Sequence, residues 1–203
     1  MTDTLTPFGF RPSRRLGSDA NNMGVSEYRV SNGQGGNIFY GDPVTVDITA
    51  AGGGITQASV CTDWVQGIFL GCRYIDSTTR QPTWSRYFPS GTSSADSVIR
   101  ALVMDNPDAT FEVQCNASVT AGDIGYGFGP NVSAGDTLYG RSAYGIAAAS
   151  RTVSLAPYRI IGLVDRPDNT FGGVNGAFPI VEVQIVQHAF RRLSFGSANT
   201  SVL

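Results

Sequence analysis

The 203-residue sequence contains no lysine and only three glutamates, Glu27, Glu112 and Glu182. Lysine and glutamate usually cover the solvent side of helices, so their scarcity argues against long surface helices. A biased genome composition would also explain the missing lysine. All fourteen basic residues are therefore arginines, which favour planar, bidentate pairing at protein surfaces. Charged residues make up 15% and there are 25 glycines, which indicates a sparsely charged, turn-rich chain.

A strong charge of one sign and long apolar runs are also missing. The net charge is −2 at pH 7, so no global basic field concentrates nucleic acid, and we expect no DNA or RNA partner. No apolar run reaches the ~18 residues of a membrane span, and residues 1–15 lack the order of a signal peptide. We expect a soluble protein that is made in the cytoplasm and has no membrane partner.

The cysteines do not show the spacing of a metal or redox site. Cys61, Cys72 and Cys115 are odd in number and form no CxxC pair, which is the usual sign of a zinc or redox centre. We interpret them as small buried hydrophobic residues. The sequence predicts no metal and no cofactor.

The residues that could support catalysis are few. The single histidine, His188, has the same strand parity as Glu182 and Gln184, which predicts a solvent-exposed side chain. No GxSxG element accompanies it. Four aspartates lie in predicted turns, where such residues usually bind backbone NH groups, namely Asp105, Asp108, Asp165 and Asp168. We predict that the protein is not an enzyme; a hydrolase with a turn-aspartate pair is a third possibility.

The periodicity of the chain predicts strands. Phe111, Val113 and Cys115 alternate with Glu112 and Gln114, which is typical of a strand with one wet face. Residues 65–70 are apolar on both faces apart from Gln66, which predicts a central strand. Gly67 and Gly71 interrupt this run, and glycines within a strand usually mark a bulge, a corner or a close backbone approach. We therefore expect strong curvature here.

A second set of strands resembles the first. Residues 159–165 contain a glycine within an apolar run, as residues 65–71 do, and residues 181–185 alternate as 111–115 do. The segment 116–158 is rich in glycine, alanine and serine and predicts a loop excursion or a small subdomain with at most short helices. The predicted fold is all-β, a β-barrel or compact β-sandwich with long loops and very little helix.

The predicted organisation has three parts: an extended N-terminal arm over residues 1–22, a β-rich body over 23–190 and a C-terminal tail over 191–203. The arm contains two prolines, two phenylalanines and three arginines without a usable period, so we expect it to form neither helix nor strand. Phe8 and Phe10 are costly to leave in water. We therefore expect the arm to dock on a partner surface.

Five segments, taken in order, resemble a group of small virion proteins of tailed bacteriophages, which are described as capsid decoration, cement or minor structural proteins. Each segment consists of turn and strand residues, so it is the ordered set that is specific. The segments are FGFRP at 8–12, GDPV at 41–44, QGIFLGCRY at 66–74, SRYFP at 85–89 and GLVDRPDN at 162–169.

The resemblance implies a protein that binds an assembled icosahedral shell across capsomer boundaries and stabilises it. The implied partners are the major capsid protein and further copies of the chain, a trimer before a dimer, on the outer capsid surface of a virion made in a host bacterium. The residues that we expect to contact the capsid are aromatic anchors and arginines of the arm and tail, namely Phe8, Phe10, Arg11, Arg14, Arg15, Arg191 and Arg192.

A receptor- or carbohydrate-binding module of a phage tail or bacterial surface is the alternative. Such a module has the same β-rich composition and uses aromatic side chains as platforms for sugar rings. The candidates are Trp64, Trp84, Tyr87 and Tyr126.

Overall fold

The computed structural model describes residues 4–16, 24–30, 35–47, 53–60, 63–171 and 176–191. Cys61, Arg192, the tail residues 192–203 and the side chain of Arg15 lie outside the described part. The fold is all-β with very little helix, as predicted. No helix among the described residues is long and apolar enough to span a membrane.

The described residues form thirteen strands and three single-turn 3₁₀ helices. The helices are Ala121–Asp123, Ala148–Ser150 and Ala189–Arg191. The strands are β1 (Arg11–Arg15), β2 (Val25–Val30), β3 (Pro43–Asp47), β4 (Gly54–Gln57), β5 (Gly67–Ile75), β6 (Pro82–Ser85), β7 (Ile99–Met104), β8 (Ala109–Gln114), β9 (Gly127–Phe128), β10 (Pro130–Asn131), β11 (Gly145–Ile146), β12 (Tyr158–Leu163) and β13 (Ile180–Ile185).

The strands form two large antiparallel sheets and one two-stranded ribbon. Sheet 1 has the order β1-β8-β13-β12-β9, and sheet 2 has the order β2-β7-β5-β3-β4 with β6 also paired to β5. The ribbon joins β10 and β11. Sheet 2 curls until its outer strands β2 and β4 approach each other, yet neither sheet closes by strand pairing within the described ranges. The fold is therefore sandwich-like and not a closed barrel.

Sheet 2 is a contiguous insertion between the first and second strands of sheet 1. Its strands lie between Val25 and Met104, whereas sheet 1 joins β1 to strands that follow Ala109. Each sheet has a buried apolar cluster. Strand β5 serves both, because Ile68 belongs to the cluster under sheet 1 and the adjacent Phe69 to the cluster under sheet 2. This confirms that the run is apolar on both faces because it is central.

The two glycines of β5 produce the predicted curvature in different ways. Gly71 has φ +143° and follows a register shift in the pairing of β5 with β7, as a bulge requires. Gly67 is a close-approach site, since a Cβ there would lie 2.1 Å from the Met104 carbonyl oxygen. A second register shift precedes Gly162 in β12, so both apolar runs that contain glycine are bulged strands.

The N-terminal segment is part of the body and contains a strand, whereas we expected an extended arm that is separate from the body and forms no strand. Residues Arg11–Arg15 form a strand and pair with β8, although the composition predicted no strand. Pro12 is compatible with this role because β1 is an edge strand and leaves one side unpaired. Further upstream, the Thr6 NH donates to Gln114 Oε1 at 2.9 Å, and Gln114 Nε2 donates to the Thr4 carbonyl at 3.0 Å. Gln114 is consequently buried, although alternation predicted it to be wet.

The segment 116–158 packs against sheet 1. Its side chains Phe128, Tyr144 and Ile146 are buried in the first apolar cluster. Backbone contacts attach it to the rest of the protein: Ile146 forms a parallel bridge with Cys115, which follows β8, and the Gly9 NH donates to the Tyr144 carbonyl at 3.1 Å. The excursion therefore covers the body and shares its core.

Candidate functional site

The two aromatic residues of the arm contact the protein itself. Phe10 is 0% exposed, and its ring centroid lies 4.7 Å from that of Tyr158 and 6.4 Å from that of Phe111. Phe8 is also buried, beneath the Arg11 guanidinium, which lies 4.1 Å from the ring centroid. The expectation that Phe8 and Phe10 anchor the protein to a partner is therefore wrong, because the chain buries both rings in its own structure.

The arginines proposed as contacts differ in availability. Arg14 makes a bidentate pair with Glu182, Nε to Oε1 at 2.7 Å and Nη2 to Oε2 at 2.8 Å, and this pair lowers the pKa of Glu182. Arg191 pairs with Asp108. Arg11 is exposed and contacts Phe8. The three arginines are exposed, so their guanidinium groups can reach the surface of another protein. Arg15 and Arg192 fall outside the described side chains.

His188 is buried, which corrects the prediction of a surface side chain. Strand β13 ends at Ile185, so the parity of the strand does not extend to residue 188. The histidine is 0% exposed, and its Nδ1 accepts from the Phe190 NH at 3.2 Å. Burial lowers its pKa to about 4, so the imidazole is neutral at pH 7.

Two of the four turn aspartates bind neighbouring side chains, and the other two are exposed. Asp105 accepts from the Tyr28 hydroxyl at 2.7 Å, Asp108 pairs with Arg191, and Asp165 and Asp168 are exposed. In the part of the chain that the structure describes, no group of three or more His, Cys, Asp or Glu side chains could hold a metal ion. Cys72 and Cys115 are free and buried, and burial raises the pKa of each thiol to about 12.

The outer face of sheet 2 carries a row of arginines that ends at a tryptophan. Arg29 on β2 lies opposite Arg100 on β7, Arg100 lies opposite Arg73 on β5, and Arg73 lies opposite Trp84 on β6. All four residues are exposed, and Trp84 is 58% exposed. We call this set the arginine row. With strands spaced about 4.8 Å apart, it spans roughly 14 Å.

A groove of about 530 Å³ follows one end of the arginine row. Arg73, Arg100 and Trp84 line it together with Asp96 and Tyr74. Glu27 bridges two of the arginines, with Oε1 2.5 Å from Arg73 Nη2 and Oε2 3.3 Å from Arg100 Nη1. The groove thus combines guanidinium groups, an exposed aromatic ring and a carboxylate.

A second groove, also about 530 Å³, lies in the segment 116–158 and next to β12. Its walls carry the exposed apolar side chains Ile124, Val153 and Leu155, which are 43%, 87% and 69% exposed. We call these three residues the apolar patch. Tyr126 lines the same groove and stacks beneath Arg151, with the guanidinium 3.8 Å from the ring centroid.

Sequence reasoning missed the arginine row because its residues are distant in the sequence. The three arginines of the row are 27 to 71 residues apart along the chain, counted between Arg29, Arg73 and Arg100, and only strand register aligns them. The available signal was weak: Arg29 lies in an alternating strand, whereas Arg73 and Arg100 lie in strands that are mostly apolar. Trp84 was a candidate platform, and its exposure agrees with that interpretation, whereas Trp64, Tyr87 and Tyr126 are only partly exposed.

No protein-family model, no curated protein and no solved structure matches the chain.

Proposed function

We propose that this protein is a virion structural protein of the decoration or cement class, which binds an assembled icosahedral capsid and strengthens it without catalysis. The observation that carries the proposal is the apolar patch. Val153 and Leu155 are 87% and 69% exposed on a segment whose other side is anchored in the core of sheet 1. Contiguous exposed apolar groups commonly mark a protein-binding surface.

The surroundings of the patch suit a contact with another protein. Protein interfaces favour aromatic residues and arginine around an apolar centre, and Tyr126 and Arg159 line the same groove as the patch. A standard interface buries about 1,600 Å² in total, which is more than the patch alone can cover. The exposed arginines Arg11, Arg14 and Arg191 are further candidate contacts with the shell.

The resemblance to phage decoration proteins also supports the proposal, and the resembling segments have a structural role in the body. Two of the resembling segments meet in space, since the Phe10 NH donates to the Gly41 carbonyl at 2.9 Å. Asp42 of the same segment is buried, and its Oδ2 accepts from the Phe39 NH at 2.8 Å and from Gln57 Nε2 at 2.5 Å. These residues of the resembling segments stabilise the body. We therefore expect exposed side chains to make the capsid contacts.

Co-sedimentation with purified empty capsids tests the proposal. We expect stoichiometric binding, saturating at a copy number set by the capsid symmetry. The double change Val153→Asp and Leu155→Asp should weaken binding about 10-fold or more, because it places charges in a desolvated contact. Val132→Asp is the matched control: Val132 is an exposed apolar residue of the same segment that does not line the groove.

Failure of the wild-type protein to sediment with capsids would refute a decoration role. Binding that survives the double change unaltered would remove the apolar patch from the interface. The same proposal includes self-association on a symmetry axis, with a trimer preferred over a dimer. Sedimentation equilibrium of the free protein measures that state directly.

A further inference from the structure

We propose that the arginine row and its groove form a binding site for an acidic saccharide, a sugar chain that carries carboxylate groups. This site lies on sheet 2 and is separate from the apolar patch, so the inference goes beyond capsid binding. The arginines can pair with the carboxylates of such a ligand, Trp84 can stack on a sugar ring, and Asp96 can accept a hydrogen bond from a sugar hydroxyl.

The row is electrostatically unfavourable without a ligand. Like charges directly opposite each other in a sheet destabilise it, yet Arg29, Arg100 and Arg73 occupy opposed positions on three neighbouring strands. Glu27 offsets part of this repulsion through its two contacts. Arg29 has no ion pair in the part of the chain that the structure describes. A ligand carboxylate would therefore find guanidinium groups in the fork geometry that binds carboxylates bidentately.

The aromatic wall is positioned by the strand beneath it. Trp84 lies against the backbone of Gly71, where a Cβ would be 3.2 Å from its Cζ2. A Cβ at residue 71 would make a tight contact with the indole, so the bulge glycine lets the ring lie close against the strand. A tryptophan that is 58% exposed beside a groove offers an apolar surface with a polar edge, which suits the CH face of a sugar ring.

A carboxylate completes the groove. Asp96 accepts hydrogen bonds from the Ser94 hydroxyl and, at 3.1 Å, from the Val98 NH, both at Oδ1. These bonds hold the side chain through Oδ1, and no hydrogen bond to Oδ2 is found among the described residues, so this oxygen can accept from a ligand hydroxyl. The residue between, Ser97, has φ +58°, a conformation that non-glycine residues adopt rarely.

The same residues argue against nucleic acid as the occupant. A phosphate backbone carries one charge per nucleotide and is bound by surfaces that are uniformly basic. Glu27 and Asp96 place two negative charges among the three arginines, and the whole chain has net charge −2. An acidic saccharide offers, besides its carboxylates, several ring hydroxyl groups that can donate to Glu27 and Asp96.

Titration calorimetry with the purified full chain tests the site. The probe is a trimer of galacturonic acid, with maltotriose as the neutral comparison and oligothymidylate as the nucleic-acid comparison. We expect the acidic trimer to bind with a Kd of about 1 mM or tighter, and more weakly as salt rises. Trp84→Ala and Arg100→Gln should each weaken binding about 10-fold. Arg141→Gln, an exposed arginine outside the groove, should leave it unchanged.

Thermal unfolding of each variant establishes that it is folded before its affinity is compared. Three results would each overturn the proposal: no heat of binding up to about 10 mM acidic trimer, equal affinity for maltotriose, or tighter binding of oligothymidylate. The titration contains no capsid, so its failure leaves the decoration role standing, and a failure of capsid binding leaves the saccharide site standing.

Discussion

At the scale of single residues, burial separates the side chains that stabilise the fold from those that can meet a partner. Phe10 and His188 were candidates for surface roles, and both are 0% exposed. Trp84 and Leu155 are apolar and well exposed. An exposed apolar side chain in a patch or groove carries functional information, whereas a buried one mostly reports packing.

Phe10 supplies a test of the N-terminal segment. We expect Phe10→Ala to lower the free energy of unfolding by about 3–5 kcal/mol, because the change leaves a cavity between Tyr158 and Phe111. Leu5→Ala is the control, since Leu5 is exposed, and its effect should stay within about 0.5 kcal/mol. Urea titration measures both. A loss below about 1 kcal/mol for Phe10→Ala would indicate that the segment is not packed into the body in solution.

His188 predicts a specific pH dependence of stability. Burial lowers its pKa to about 4 in the folded protein, whereas an unfolded chain protonates histidine near pH 6.5. The unfolded state therefore binds more protons between these values. The resulting stability is complete above about pH 6.5 and falls, by about 3 kcal/mol, as the pH decreases toward 4.

The control for this prediction is His188→Asn, which keeps an acceptor for the Phe190 NH and removes the titrating ring. The free energy of unfolding, measured by urea titration from pH 7 to pH 4, should fall less steeply in the variant than in the wild type. Parallel slopes would show that His188 does not contribute to the acid sensitivity.

At the scale of elements, the glycines of the two bulged strands, β5 and β12, are under different steric constraints. In sequence, the apolar run around Gly67 is similar to the apolar run around Gly162. In the structure Gly67 is pressed against the backbone of Met104, whereas nothing lies within 4 Å of a Cβ at Gly162. Only the first position therefore requires glycine for steric reasons.

Substitution by alanine distinguishes the two strands. Gly67→Ala should cost about 3 kcal/mol or more, because the new Cβ would lie 2.1 Å from the Met104 carbonyl oxygen and strands β5 and β7 would have to separate. Gly162→Ala should be within about 0.5 kcal/mol of the wild type or stabilise it, since alanine restricts the unfolded chain. Chemical denaturation measures both; equal losses would contradict the close packing of β5 on β7.

At the scale of the whole molecule, the two apolar clusters should behave as one cooperative unit. Strand β5 contributes Ile68 to the first cluster and Phe69 to the second, and β7 contributes Met104 and Val103 in the same way. Loss of either cluster therefore exposes strands of the other. We expect a single unfolding transition.

Phe111→Ala tests this coupling. Phe111 belongs to the cluster under sheet 1, whereas Trp64 and Trp84 lie in the chain segment that forms sheet 2. The variant should lose about 3–5 kcal/mol, and its transition by tryptophan fluorescence should shift together with that by far-UV circular dichroism. A fluorescence midpoint that stays at the wild-type value would show that the sheets unfold independently.

Much of the fold could be predicted from the sequence because it depends on local pattern. Alternation located β8 and β13, double-sided apolarity identified β5 as central, and glycine within an apolar run identified the bulges. Each of these signals reflects steric or solvation preferences of neighbouring residues. The burial of Cys72 and Cys115 followed from composition in the same way.

The arginine row could not be predicted, because it depends on which strands become neighbours. Local sequence pattern was enough to predict an all-β chain with few helices, sparse charge and bulged central strands. The pairing of β1 at the edge of sheet 1, the burial of Phe10 and the alignment of three arginines with Trp84 across β2, β7, β5 and β6 arise only in the folded protein. Pairing register and long-range packing set these contacts, and no local window of residues contains both partners.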